Sequence, residues 1–437
     1  MLMRPSGSKI FLVVMIALLG VGIFLLVVLD NSVSFSNDGG GQGFFKEALP
    51  EEPDDPNADI GPQAQLTNPP TMIKAIYSTA WSAGSEKKMD YFLDLFNTTE
   101  LNAIVIDIKD YTGIMSYEPD VAMVKEIGAY ETRIDKINKL IKRLHDDGVY
   151  VIARVSTFQD KALAKARPEL AVQSKASGSQ WQDRNGLMWT NPVDKRVWDY
   201  NIAIAMDAFN RGFDEVNFDY MRFPSDGNIG DLSFSGYDGT VARDKMIAQF
   251  FGYLRSQLIG HRISADLFGE VTYARGDIGV GQNLKLALNK FDYIAPMTYP
   301  SHYNPNFQGL NTAATHPYEV LKYSMDQVFS QLIEVWKANQ PLPEPIGSST
   351  EDLAVSVPPK EVSNADLQSM VSTKFRPWLQ DFDLGAVYTA DMVRAQMRGV
   401  YDAGFVGYDN LDAEAFKNGW MLWDAGNNYM RAALLPE

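Results

Sequence analysis

Residues 213–224 read F-D-E-V-N-F-D-Y-M-R-F-P, and this stretch decides the fold. In an extended chain successive side chains alternate, so Val216 and Phe218 point one way and Glu215, Asn217 and Asp219 the other. Pro224 stops regular pairing and opens a loop. Packing gives no reason to gather a carboxylate, a phenol and a guanidinium (Asp219, Tyr220, Arg222) at the C-terminal end of a strand. The stretch is therefore read as the chemical centre of the chain.

Strands and helices alternate on either side of it from residue 71 onward. The other expected strands are 72–78, 102–108, 149–155, 262–268, 291–298, 374–380 and 404–408. Helices are expected at 85–97, 134–146, 193–211, 241–259, 282–289, 317–339 and 390–402, with a last one near 411–418. Leu140, Ile141 and Leu144 keep helical spacing, as do Ile247, Phe250, Phe251 and Leu254. Eight strands, each followed by a helix, predict an α/β fold of the (β/α)8 TIM-barrel type over 71–437, with a doubly wound open sheet as the alternative. Helix-to-strand connections are short and carry Gly148, Gly212, Gly260 and Gly404; strand-to-helix connections such as 109–133 and 156–191 are long. Long loops on one face of a barrel place the site at its C-terminal end.

The apolar run Ile10 to Leu29 follows Arg4 and Lys9. Twenty residues at ~1.5 Å each span about 30 Å, one bilayer core. The sequence thus predicts a cytoplasmic tip and transmembrane anchor over 1–30, a cleaved signal being the alternative, and a flexible Gly/Pro/acidic stalk over 31–70. The barrel would then lie outside the cytoplasm, at the cell membrane or secreted.

A net charge of −16 argues against nucleic acid as a partner and mildly against a polyanionic substrate, although local patches can override the total. The chain has no cysteine, so thiolate chemistry and Cys-based metal sites are excluded. Its four histidines form no H-E-x-x-H pair, and no G-x-S-x-G elbow or P-loop occurs. No cofactor or metal is called for, although Asp219, Asp266 and a carbonyl are able to hold Ca²⁺.

Under the barrel reading the strand ends converge. They supply Trp81, Asp107, Lys109, Arg154, Asp219, Tyr220, Arg222, Asp266, Tyr299, His302, Trp378 and Asp409, with Glu270 four residues past Asp266. Paired carboxylates suit glycoside hydrolysis, and aromatic faces suit sugar rings. Bland readings stand beside these. Asp107 and Lys109 make an ion pair, Arg154 pairs with Asp107 or Asp219, Trp181 and Trp189 pack a long loop, and Asp381 and Asp409 cap helices.

The segments Ala80-Trp81, N-A-I-V-I-D-I-K-D (102–110), V-I-A-R-V (151–155), F-D-Y-M-R-F-P (218–224), I-S-A-D-L-F-G (263–269), D-Y-I-A-P-M-T-Y-P (292–300), R-P-W-L-Q-D-F (376–382) and G-Y-D-N (407–410) resemble a bacterial glycoside-hydrolase domain family of TIM barrels, in the same order over about 71–415. More distantly, F-D-E-V-N-F-D-Y and M-T-Y (297–299) are similar to chitinase-type barrels, where the catalytic Glu position falls on Met221. Likeness to amylase-type barrels implies Asp219 as nucleophile and Asp266 as acid, with Glu270 in reserve. The resemblance implies an enzyme; with the anchor, it is expected to be a monomer acting on an extracellular or cell-envelope polysaccharide. A catalytically inert glycan-binding barrel is the competing expectation.

Overall fold

The computed structural model describes residues 58–340 and 361–436. Six parallel strands follow one another around a barrel: β1 Ile73–Ser78, β2 Ala103–Lys109, β3 Tyr150–Ser156, β4 Glu215–Asp219, β5 Ile263–Phe268 and β6 Tyr293–Met297. The seventh, β7, comes in two pieces, Lys374–Phe375 and Trp378–Gln380. Between them Pro377 has no N–H to give a ladder. The first piece pairs with β6, and the second with β6 and with β8, Gly419–Trp423. Ile73 opposite Gly419 joins β8 to β1 and closes the eight-stranded barrel.

One main helix follows each of the first seven strands: α1 Glu86–Phe96, α2 Ile137–Asp146, α3 Lys195–Arg211, α4 Arg243–Gln257, α5 Leu284–Ala287, α6 Pro317–Ala338 and α7 Ala390–Tyr401. Asp194 and Thr389 start α3 and α7 by accepting first-turn N–H groups. Strand alternation sorts the interior into two cores. Val216, Phe218, Ile247, Phe250 and Leu254 belong to the shell between barrel and helices. Ala75, Tyr77, Val105, Tyr150, Ile152, Trp378 and Met421 fill the barrel itself.

The polar side of β4 runs up inside that barrel, as its alternation predicts. Lowest is Glu215, ion-paired with Arg376, both fully buried. The Tyr150 hydroxyl donates to Glu215 at 3.2 Å, and the Arg376 guanidinium lies 4.6 Å from the Tyr293 ring centre. Asn217 and Asp219 stand above them.

Two stretches of the chain need correction. The eighth strand is 419–423, not 404–408. In G-F-V-G-Y, Phe405 turns inward onto Phe329 and Phe416 while Val406 is 72% exposed, and Gly407 has φ 80°. Gly419 has φ 84°, and a Cβ there would lie 1.8 Å from the Ile73 carbonyl oxygen, so β8 can reach β1 only with glycine at this point. The helix near 411–418 is a single 3₁₀ turn, Ala413–Phe416, leading into β8. Secondly, residues 58–70 belong with the barrel rather than with a stalk. Gln63 N–H donates to Arg211 O, Leu66 N–H to Asp214, and Asp59 accepts from the N–H groups of Asn138 and Lys139 at the start of α2. The anchor expected at 10–29 lies outside the described residues; among those described, no helix is long and apolar enough to cross a membrane.

Removing one partner of a buried ion pair strands the other, at a cost of ~3–5 kcal/mol. Arg376→Met should lose about that much stability in urea unfolding, and Glu215→Gln/Arg376→Met should regain much of it. A single variant as stable as the parent would show that the pair contributes nothing.

Candidate active site

β2, β4 and β5 each deliver an aspartate to the C-terminal end of the barrel, and the three meet around Arg154 from β3. Its Nη1 donates to Asp107 Oδ1 at 2.5 Å and its Nη2 to Asp219 Oδ2. Its Nε lies 3.5 Å from Asp266 Oδ2 without a hydrogen bond. The register explains the meeting, because Asp107 sits beside Arg154, and Arg154 beside Asn217. The second oxygens are also held. Asp107 accepts from the Tyr77 hydroxyl at 2.5 Å, Asp219 from the Tyr220 N–H at 2.5 Å, and Asp266 from Asn217 Nδ2 at 2.9 Å and Trp378 Nε1 at 2.7 Å.

Aromatic rings enclose the cation. Trp423 stacks on Tyr77 with 3.8 Å between centres, and Arg154 lies 5.0 Å from the Trp423 ring centre. Trp378 meets Trp423 edge-on at 5.4 Å. In this dry setting burial, and then the neighbouring Asp219 charge, push the Asp266 carboxyl up to about 7. Burial also raises Asp107, against the pull of Arg154. Burial opposes the charge on Arg154, but Asp107 and Asp219 more than offset it, and the guanidinium stays protonated. The result is one acid poised to hold a proton near neutrality beside a carboxylate already paired with a cation.

Residues 75–342 match the family described as "Putative glycosyl hydrolase domain". The chain belongs to that family. Similar solved structures include a hypothetical protein from Ruminiclostridium thermocellum, 40% identical over 44% of this chain and 96% of that one, with TM-score 0.41. An α-galactosidase from Thermus thermophilus in complex with stachyose is 13% identical over 62% of this chain and 54% of that one, with TM-score 0.38. A Geobacillus stearothermophilus α-galactosidase of family GH36 is 10% identical over 83% of this chain and 40% of that one, with TM-score 0.42. This chain thus spans about half the length or less of either galactosidase. No curated protein matches it.

Within this glycosyl hydrolase domain the remaining expected residues fall in three groups. Near the centre, Tyr299 is buried against Phe382 and His302, and Trp378 is fully buried, so it positions Asp266 instead of presenting a face. Tyr299, His302 and Glu270 line a cavity of about 290 Å³ with Phe268, Met297 and Tyr303. Around the edge, Trp81 is exposed beneath the Arg133 guanidinium, and Tyr220 and Arg222 follow β4.

Two residues lie elsewhere. Lys109 is fully buried and pairs with Asp160 at 2.7 Å, also donating to Asn201 and the Ser156 carbonyl. It follows an irregularity in β2 between positions 107 and 109, which separates it from Asp107. Asp409 is exposed in the connection that enters β8, at the end of the barrel opposite the site.

Sequence reading missed Trp423, whose signal is the two tryptophans in Gly419-Trp420-Met421-Leu422-Trp423, because 404–408 already supplied an eighth strand. Among the described residues no group of three or more His, Asp or Glu is placed to hold a metal. The Ca²⁺ position considered between Asp219 and Asp266 is taken by Arg154.

Asp266 is protonated more readily in the fold than in the unfolded chain, where an Asp titrates near ~3.9. Its contribution to stability is therefore full below pH ~4 and lost as pH rises through about 7. Asp266→Asn should flatten that fall. Asp381, also raised to about 7, chiefly by burial, leaves a residual slope of the same sign. Urea unfolding at pH 5, 6, 7 and 8 checks this, and parallel profiles for wild type and variant would refute it.

Proposed function

We propose that this chain is a glycoside hydrolase in which Asp266 is the proton donor and Asp219 the nucleophile or base. The observation that carries this is the protonatable Asp266 and the paired Asp219 sharing one guanidinium. That sharing keeps the two carboxyl groups within the ~10 Å that two-carboxylate hydrolysis uses. Asp266 gives its proton to the glycosidic oxygen as the C–O bond breaks. Asp219 either attacks the anomeric carbon or takes a proton from the water that does. Arg154 and Tyr77 keep Asp107 and Asp219 in place, and Trp378 and Asn217 aim Asp266. Glu270, exposed at the cavity edge, is the reserve acid.

The substrate is an extracellular or cell-envelope polysaccharide, bound by a monomer whose residues 10–29 anchor it to the membrane. This part of the proposal rests on the sequence alone. A catalytically inert glycan-binding barrel is the second reading. What favours it is the clamp of Arg154 on Asp219, together with Met221 at the position of the chitinase-type acid.

Hydrolysis of a panel of bacterial, plant and algal glycans separates the two. Asp219→Asn and Asp266→Asn should each lower kcat by ~10²–10⁴-fold, the scale of acid–base assistance. Asp266→Asn should lose far less on 4-nitrophenyl glycosides, whose leaving group needs little protonation. Glycan binding without turnover in all three proteins would select the inert barrel.

A further inference from the structure

Arg222 is 9% exposed and carries a buried charge that the protein does not neutralise. It lies 4.7 Å from the Phe268 ring centre, 4.8 Å from Trp189 and 5.5 Å from Tyr220. Its polar contacts are neutral acceptors, the Phe223 carbonyl at 3.2 Å and Ser225 Oγ at 3.0 Å, both reached from Nη1. No carboxylate among the described residues is within ion-pair distance, and burial lowers its pKa. The acids that act on it from further away are committed elsewhere. Asp219 holds Arg154, Asp226 lies 3.3 Å from Arg184, and Asp183 accepts the N–H groups of Asn185 and Leu187.

Unpartnered donors lie in the same region. Trp189 Nε1 is buried without a partner. Gln282, whose Oε1 accepts the Phe268 N–H, has a buried and unpartnered Nε2. Phe268 in turn lines the 290 Å³ cavity with Tyr299 and Glu270. A guanidinium with free N–H groups matches the planar oxygens of an oxyanion, whose charge would offset the burial of its own. Trp189 is buried behind the guanidinium, while Tyr220 and Phe268 are partly exposed and suit the body of a sugar.

We propose that Arg222, with Trp189, Tyr220 and Phe268, forms a subsite for the anionic substituent, carboxylate or sulfate, of an acidic sugar. The inference rests on the glycan-binding part of the reading above and narrows its substrate to acidic polysaccharides.

Matched pairs test it. The full chain is titrated calorimetrically with oligogalacturonate against its methyl ester, and with a sulfated galacto-oligosaccharide against its desulfated form. At least one acidic member should bind ~10-fold or more tighter than its neutral partner, with the preference shrinking as salt is raised. Which pair discriminates tells carboxylate from sulfate. Arg222→Met should bring the ratio to about one, and Arg222→Lys should keep part of it. Arg222→Gln replaces the Met variant if thermal melting shows that Arg222→Met is unfolded. Equal binding within both pairs, no binding to any member, or a ratio unmoved by both Arg222→Met and Arg222→Gln overturns the inference. Failure of the hydrolase reading is seen separately, as acid preference without cleavage of any glycan. Cleavage of neutral glycans with no acid preference leaves that reading standing and removes this one.

Discussion

A guanidinium buried inside a barrel must be matched by charge, and Arg154 sets the terms for everything around it. Three aspartates on three strands approach it, so full ionisation would leave the cluster with excess negative charge in a poorly solvated place. The cluster resolves this by holding a proton. Asp266 has the longest contact with the cation and is the group pushed up to about 7. Burial and the Asp219 charge raise Asp266, and the contacts differ with it: two carboxylates claim the Nη groups, and the third is left with an Nε that makes no hydrogen bond.

That arrangement depends on a barrel whose inside is polar along one strand. Glu215, Asn217 and Asp219 each need partners inside the barrel; Arg376 supplies one from across the lumen, and Asp266 and Arg154 from the two neighbouring strands. The partners tie β4 to β3, β5 and β7, so the ladder of hydrogen bonds is reinforced by side chains crossing the interior. Trp378 belongs to both systems, filling the barrel core while its Nε1 fixes the orientation of Asp266.

Much of this was legible because strand period two is simple. The inward set of β4 followed from alternation, and Arg154 and Asp266 followed from a charge on an otherwise apolar strand. What was not legible had local causes. An irregularity in β2 sends Lys109 into the shell toward Asp160, and no spacing rule announces it. Phe405, Val406 and Tyr408 imitate a strand directly after the last helix, so the last barrel strand was misplaced and Trp423 with it, while Asp409 was assigned to the wrong end. Trp378 was read as a sugar platform because its burial is a property of the closed barrel and not of the segment.

The positive φ of Tyr220, 54°, has a consequence for what the site can become. Up to Asp219, odd-numbered residues of β4 face the lumen. Past Tyr220 the parity is inverted, and Met221 and Phe223 are fully buried in the outer shell while Arg222 lies among the rings of Trp189, Tyr220 and Phe268. A glutamate placed at 221 would therefore meet apolar packing instead of substrate. Exchanging the side chain at 221 alone adds no carboxylate to the barrel interior.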